Sequence, residues 1–387
     1  MQQYTMNWNY PTAVRVGAGR IAELADACRE LGMSAPLLVT DPGLAALPML
    51  AATVQQCRDK GLTVEVFSAI KGNPTGQNVM DGVVVYRLGH HDGVIAFGGG
   101  SALDAAKAIA LMAGQDRPLW DFEDVGDNFQ RVNVAGMAPV IAVPTTAGTG
   151  SEVGRASVIT DEAAQLKRII FHPRMLPALV ILDPQLTTGL PAGITAATGM
   201  DALSHNLEAY CSPLFHPMAE AIALEGMRLI KDYLPRAVQD GTDLEARLKM
   251  LVASSMGATA FQRGLGSMHA LAHPLGALYD AHHGTLNAVL MPYVLVANRS
   301  AIEGRMEVLA RHLQLPTAGF DGVMAWVLEL RTQFAIAHSL AELGIDESRA
   351  DLIAQMAVVD GAAGTNPIAH DESRYREIFI NAVRGEL

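Results

Sequence analysis

The sequence predicts an α/β domain with a doubly wound, mainly parallel sheet, followed by an all-α domain. In the first half, short apolar runs alternate with amphipathic stretches of ten or more residues, a pattern typical of parallel strands joined by helices. After about Ala192 the chain has long stretches of helical apolar spacing and little strand signal. Because Pro184 and Pro191 mark the change, we expect one domain over residues 1–187 and a second over 188–387.

The elements of the first domain follow from this alternation. Each predicted strand is a short apolar run that ends at turn residues, and the runs are Ala13–Val16, Pro36–Thr40, Leu62–Ile70, Gly93–Phe97, Pro139–Val143 and Leu179–Asp183. Helical spacing between them predicts helices over about 17–32, 49–61, 77–89 and 101–113. Strand and helix therefore alternate along nearly the whole domain.

Composition excludes several classes of protein. Half of the 387 residues are apolar and 18% are charged, which allows a large core and argues against a disordered chain. The net charge of −12 disfavours nucleic acid and anionic membranes as partners, since both attract clustered Lys and Arg. A small anionic cofactor stays compatible with this charge, because a local pocket of backbone N–H groups is enough to bind it.

The sequence also bears on location. It has no clean apolar run long enough to cross a membrane, and its start lacks a basic patch followed by an apolar stretch. Its three cysteines form no CxxC pair, which argues against a disulfide framework. We therefore expect a cytoplasmic protein.

Three loops are candidates for binding phosphate or ribose. Gly17–Ala22 fits the dinucleotide pattern G-x-G-x-x-(G/A), and Asp41 follows at the end of the next strand, although an ordinary strand–helix turn explains the two glycines equally well. Gly98–Ser101 joins a buried strand directly to a helix, where Ser101 is expected to cap the helix N-terminus. Pro144–Ser151 supplies hydroxyl groups at another strand end, and the carboxyl ends of parallel strands are where such sheets bind ligands.

A cluster of histidines and one aspartate predicts a metal site. Asp201 and His205 are four residues apart, as are His269 and His273, so each pair shares one face of a helix. A single buried histidine is usually a hydrogen-bonded core residue, but a cluster in an apolar setting favours a divalent transition metal. Spacing alone allows any three or four ligands from the set Asp201, His205, His269, His273, His282 and His283.

Four segments carry a resemblance to a known family. GGGSALDAAKAIA, PTTAGTGSEV, GMDALSHNLEAY and GLGSMHALAHPLGALYDAHHGTLNAVLMPYV are similar to the signature segments of the iron-containing (group III) alcohol dehydrogenases, over about residues 16–367. The resemblance implies a Rossmann-like sheet domain and a helical domain, as in the superfamily that includes glycerol dehydrogenase and dehydroquinate synthase.

The resemblance also implies the site residues. The metal ligands would be Asp201, His205, His269 and His283. His273 would be a catalytic residue beside the metal, and we assign it the relay of the alcohol proton. His282 departs from the family, in which another residue, frequently proline, is common.

The implied cofactor is NAD. Pyrophosphate would bind at Gly98, Gly99, Gly100 and Ser101, whereas the Gly17–Ala22 turn would not be the main phosphate site. A carboxylate at Asp41 favours NAD over NADP because it repels a 2′-phosphate. The remaining implied cofactor contacts are Asn73, Thr145, Thr146, Thr149 and Lys167.

The implied activity is reversible hydride transfer between a primary alcohol or aldehyde and nicotinamide, with the metal polarising the substrate oxygen. Fe²⁺ is the first metal implied and Zn²⁺ the alternative, and the family implies a homo-oligomer, a dimer or larger. Alternative readings are a polyol dehydrogenase, a metal-assisted lyase or cyclase of the same superfamily, a metal hydrolase without nicotinamide, and a non-catalytic metal- and nucleotide-binding protein.

Overall fold

The computed structural model describes residues 12–387. Residues 12–190 together with Thr242–Leu251 form one compact unit, here called the sheet unit, and Pro191–Gly241 with Val252–Leu387 form a second, the helical unit. This architecture confirms the predicted fold class, a parallel sheet domain and an all-α domain.

The sheet unit is built around a six-stranded parallel sheet. Its strands are β1 Ala13–Val16, β2 Leu37–Val39, β3 Glu65–Phe67, β4 Val94–Gly98, β5 Val140–Pro144 and β8 Leu179–Leu182. Their order is β1-β8-β5-β4-β2-β3, with every neighbouring pair parallel. The side chains of β2, β4 and β5 are all buried, as expected for the centre of a sheet covered on both faces.

Helices connect these strands. They are α1 Leu24–Glu30, α2 Pro42–Ala45, α3 Pro48–Asp59, α4 Gly76–Leu88 and α5 Gly100–Met112. The register pairs Gly98 of β4 with Pro144 of β5, and Val39 of β2 with Ala96 of β4. The loops that follow these three strands therefore start at the same edge of the sheet.

A two-stranded antiparallel hairpin follows β5. It consists of β6 Ala156–Asp161 and β7 Leu166–Phe171. The apolar pattern of the sequence predicts no strands in this segment, so these two strands are an addition to the predicted fold. The sheet domain therefore contains an antiparallel insertion between its last two parallel strands.

The second unit is built almost entirely from helices. They are α6 Ala192–Cys211, α7 Pro217–Gln239, α8 Leu244–Ala260, α9 Ser267–Tyr279, α10 His283–His312, α11 Gly319–Gln333, α12 Ala350–Val358 and α13 Glu372–Arg384, with the start of α8 grouped in the sheet unit. Helix α6 is buried along most of its length, including its polar residues Asp201, His205 and Glu208. Among residues 12–387, no helix is both long and apolar enough to span a membrane.

Candidate metal and cofactor sites

Three helices of the helical unit bring four potential ligands together. Asp201 and His205 lie one turn apart on α6, His269 lies near the start of α9, and His283 is the first residue of α10. One ligand atom from each of these residues lies within 4.8 Å of the others. Asp201, His205 and His269 are buried and His283 is partly exposed, so the cluster can be reached from one side.

The atoms of this cluster fit a divalent transition metal. The Nε2 atoms of His205 and His269 face each other at 3.0 Å, and His205 Nδ1 is buried without a hydrogen-bond partner among the described residues. Burial and the neighbouring His205 lower the pKa of His269 well below its usual value, which favours the neutral ring that metals bind. One carboxylate and three imidazoles are ligands that Fe²⁺ and Zn²⁺ both accept.

Glu208 holds His269 in place. Its carboxylate accepts hydrogen bonds from His269 Nδ1 at 2.7 Å and from the backbone N–H groups of Gly266 at 2.9 Å and Met268 at 2.7 Å. Burial raises the pKa of Glu208 to about 7, although these N–H donors act in the opposite direction. A carboxylate on the Nδ1 side directs Nε2 of His269 into the cluster, the arrangement common behind metal-binding histidines.

His273 lies beside the cluster and has a carboxylate partner of its own. Its Nδ1 is 2.8 Å from Asp360 Oδ2, and its ring stacks on that of His283 with centroids 5.7 Å apart and an angle of 11°. A proton on Nδ1 donated to Asp360 leaves Nε2 as an acceptor. His282 is exposed and caps α10 through a hydrogen bond from Thr285 N–H to its Nδ1, so it belongs to the helix cap and not to the cluster.

In the sheet unit, the glycine loop and the hydroxyl-rich loop lie against each other. A Cβ at Gly99 would be 3.2 Å from Thr146 Oγ1, and one at Gly100 would be 2.5 Å from Thr149 Cγ2. Only glycine fits at the second position without displacing the neighbouring loop.

Two buried hydroxyl groups flank this loop. Thr40 Oγ1 after β2 and Thr145 Oγ1 after β5 lack hydrogen-bond partners within residues 12–387, and both strands neighbour β4. Unpaired buried hydroxyls beside a glycine-lined helix N-terminus fit a ligand rich in oxygen atoms, as a dinucleotide is.

The other predicted cofactor residues lie in the same unit. Lys167 on β7 donates to Asn73 Oδ1 at 2.9 Å, so these two predicted contacts are adjacent. Asp41 uses Oδ1 to accept from Leu44 N–H at 2.9 Å and caps α2. Ser101 was expected to cap α5, and this is wrong: its hydroxyl donates to the Gly72 carbonyl, and Gly99 is the N-cap residue.

Asp104 forms hydrogen bonds with the end of the hydroxyl-rich loop and with β6, and it does not cap its own helix, α5. Its carboxylate accepts from Ser151 Oγ at 2.5 Å and from Val158 N–H at 2.9 Å. The spacing of Asp104 three residues after Ser101 suggests a capping-box acid, but its partners lie about 50 residues along the chain.

In the Gly17–Ala22 turn, a carboxylate of the protein itself occupies the backbone N–H groups. Asp183, after β8, accepts from Gly19 N–H at 3.1 Å and from Ile21 N–H at 2.9 Å. Its carboxylate is fully buried and takes the N–H groups that a phosphate would need. The match to the dinucleotide pattern therefore reflects turn geometry.

Sequence reasoning missed three polar residues around the cluster: Glu208, Asn287 and Asp360. Glu208 and Asn287 follow predicted ligands by three and four residues, a spacing that places each near its ligand on a helix. Asp360 has no such signal, because it lies 87 residues from His273.

Comparison with known proteins gives consistent matches over nearly the whole chain. Residues 11–184 match the family model for iron-containing alcohol dehydrogenase, and residues 195–383 match the C-terminal model for the Fe-containing alcohol dehydrogenase family. The chain is 40% identical over 382 residues to the 4-hydroxybutyrate dehydrogenase of Cupriavidus necator, covering 96% of this chain and 98% of that protein.

Solved structures agree with these matches. A 1,3-propanediol oxidoreductase has a TM-score of 0.92 and 35% identity, covering 98% of this chain and 100% of that one. A sulfoacetaldehyde reductase from Bifidobacterium kashiwanohense, solved in complex with NAD⁺, has a TM-score of 0.87 and 29% identity, covering 98% and 99%.

Proposed function

Because the chain belongs to the iron-containing alcohol dehydrogenase family and is an NAD-linked, metal-dependent dehydrogenase of alcohols, we propose which of its residues carry the reaction. Residues 1–187 bind the dinucleotide, and residues 188–387 hold the metal and supply the catalytic side chain. The observation that carries this proposal is the convergence of four ligand atoms within 4.8 Å in the helical unit.

The metal site consists of Asp201, His205, His269 and His283. A divalent cation held there supplies Lewis acidity, which lowers the pKa of an alcohol hydroxyl and polarises a carbonyl. We propose Fe²⁺ as the metal, with Zn²⁺ as the alternative, since both accept one carboxylate and three imidazoles.

The cofactor site consists of the residues at the carboxyl edge of the sheet. Backbone N–H groups of the glycine loop bind the pyrophosphate, and Asp41 binds the adenosine ribose and disfavours a 2′-phosphate. Support comes from the two buried, unpaired hydroxyls of Thr40 and Thr145 beside the loop. The remaining contacts that we propose are Asn73, Ser101, Thr145, Thr146, Thr149 and Lys167.

His273 accepts the alcohol proton in this proposal. Its Nδ1 is engaged with Asp360 at 2.8 Å, so the ring presents Nε2 as the acceptor, and the carboxylate stabilises the imidazolium that forms. The reverse reaction returns the proton from the same nitrogen. His273→Ala protein is expected to bind metal normally but to lose rate and shift its pH–rate profile, and an unchanged rate and profile would refute the relay.

The function is tested with metal-stripped protein reloaded separately with Fe²⁺ and Zn²⁺. Primary alcohols, polyols and aldehydes are offered with NAD(H) and NADP(H), and NADH absorbance is followed. We expect turnover of primary alcohols with NAD only after reloading, and His269→Ala is expected to lose both bound metal and turnover. Full activity of the stripped protein would contradict the metal assignment, and a preference for polyols would favour the glycerol-type alternative.

We also propose a cytoplasmic homo-oligomer, a dimer or larger. The three cysteines, Cys28, Cys57 and Cys211, are buried free thiols, which supports a reducing compartment. Light scattering of the purified protein measures the oligomeric state, and a monomer would contradict this part of the proposal.

A further inference from the structure

Asn287 places its side-chain amide against three of the four candidate ligands. It lies on α10 one turn after His283 and is fully buried. Its Nδ2 atom is 2.8 Å from Asp201 Oδ1 and 3.2 Å from the Nε2 atoms of both His269 and His283. The amide nitrogen is therefore part of the immediate surroundings of the cluster.

The amide has its nitrogen turned toward the ligands, although this orientation leaves its oxygen without a hydrogen bond. Asn287 Oδ1 is buried and has no hydrogen-bond partner in the described part of the chain, and an orphaned buried acceptor is unfavourable. The reversed amide would place that oxygen 2.8 Å from Asp201 Oδ1, where two acceptors repel each other. The contact with Asp201 thus decides which way the amide points.

We propose that Asn287 is a positioning residue of the metal site. Its Nδ2–H donates to Asp201 Oδ1, the oxygen that lies 3.8 Å from His283 Nε2, so that the carboxylate is fixed in orientation within the cluster. A carboxylate free of this bond can rotate or bind through both oxygens, which changes both the affinity for the ion and its coordination number. This inference rests on the metal site proposed above.

A purely structural role for Asn287 makes a different prediction. A buried asparagine that only fills space would affect folding when replaced, but would leave the metal's surroundings unchanged. Asn298 is the matched control, because it is a buried asparagine on the same helix whose amide donates to Asn366 and not to a candidate ligand.

The experiment compares wild-type protein with the Asn287→Ala and Asn298→Ala variants. Each protein is stripped of metal and titrated with Zn²⁺ against a chromophoric chelator, and then with Co²⁺, whose visible absorption reports coordination number. Circular dichroism and thermal unfolding of the stripped proteins report the fold. Asn287→Leu keeps the branched shape of the side chain without its hydrogen-bonding groups, and it replaces the alanine variant if that one does not fold.

We expect Asn287→Ala to raise the Kd for Zn²⁺ by about 10- to 100-fold and to alter the Co²⁺ spectrum, since loss of a ligand's hydrogen-bond partner has effects of this size. Asn298→Ala is expected to match wild type in both measurements. Wild-type Kd and an unchanged spectrum in the Asn287 variant that folds would overturn the inference while leaving the metal site intact. Failure of the wild-type protein itself to bind either ion would overturn the metal site.

Discussion

Replacing Gly100 with alanine tests the contact between the glycine loop and the Thr149 loop. The added Cβ would lie 2.5 Å from Thr149 Cγ2 and 2.8 Å from Thr149 Oγ1. Thr149 has little room to withdraw, because its hydroxyl accepts from Ser151 N–H at 3.2 Å and Ser151 is tied to Asp104. We therefore expect Gly100→Ala to push the two loops apart.

The size of the effect follows from the overlap. Overpacking of this kind costs about 1–3 kcal/mol. If the displaced loops restore their spacing only when NADH binds, the same free energy weakens binding by about 5- to 150-fold. Gly99→Ala is the graded comparison: its Cβ would meet Thr146 Oγ1 at 3.2 Å, so we expect a smaller loss.

The assay is a fluorescence titration with NADH, accompanied by metal analysis of the same samples. Metal content should stay at the wild-type level, because the candidate ligands lie in the helical unit. In the double variant Gly100→Ala/Thr149→Ala, the nearest remaining atom is Thr149 Cβ at 3.1 Å. Because Thr149 is itself a proposed cofactor contact, the double variant is compared with Thr149→Ala, and this loss of affinity should be smaller than that of Gly100→Ala relative to wild type. Wild-type NADH affinity in Gly100→Ala, or an equal loss from Gly100→Ala in the wild-type and Thr149→Ala backgrounds, would refute the reasoning.

Three further predictions concern buried polar side chains. Glu208→Gln turns one acceptor into an N–H₂ group facing N–H donors. We expect it to lower the free energy of unfolding by about 1–3 kcal/mol and metal affinity by about 10- to 100-fold, and unchanged denaturation and chelator titrations would contradict this. Asp183→Ala leaves the N–H groups of Gly19 and Ile21 without an acceptor. The midpoint of urea unfolding should fall while the Kd for NADH stays constant, and a changed Kd would show that this turn binds cofactor. Burial and Arg174 lower the pKa of His172 in the folded protein. As the pH drops below about 6.5, His172 is therefore protonated in the unfolded chain before it is protonated in the folded protein, and the free energy of unfolding falls. His172→Asn should lose less Tm than wild type between about pH 7 and about pH 5, and parallel Tm curves would argue against this assignment.

The parallel sheet could be predicted because its strands are short apolar runs bounded by turn residues. The β6–β7 hairpin could not, because its turn carries no glycine, proline or asparagine. Gln165 adopts a left-handed conformation there, with φ of 54°, where glycine or asparagine would have given a turn signal. The turn is held by Asp161, whose Oδ1 accepts from the N–H groups of Ala163 and Ala164 at 3.1 Å, and a single aspartate is too weak a signal to predict a hairpin.

The candidate site could also be predicted only in part. Helical spacing indicated that Asp201 and His205 share a face, but spacing says nothing about which helices meet. The partners that orient the cluster lie far away in sequence, as Glu208 does from His269 and Asp360 does from His273, 61 and 87 residues apart. Such pairs arise only when the helices pack.

The buried carboxylate of Asp183 has a consequence for binding stoichiometry. A tethered acceptor acts at a far higher effective concentration than a free nucleotide can reach. The Asp183 carboxylate therefore occupies the N–H groups of the Gly17–Ala22 turn in every folded chain. Among residues 12–387, no side chain accepts a hydrogen bond from the backbone N–H groups of the glycine loop before α5. Titration should accordingly reach an end point of one dinucleotide per chain, although the sequence carries two glycine patterns of similar appearance.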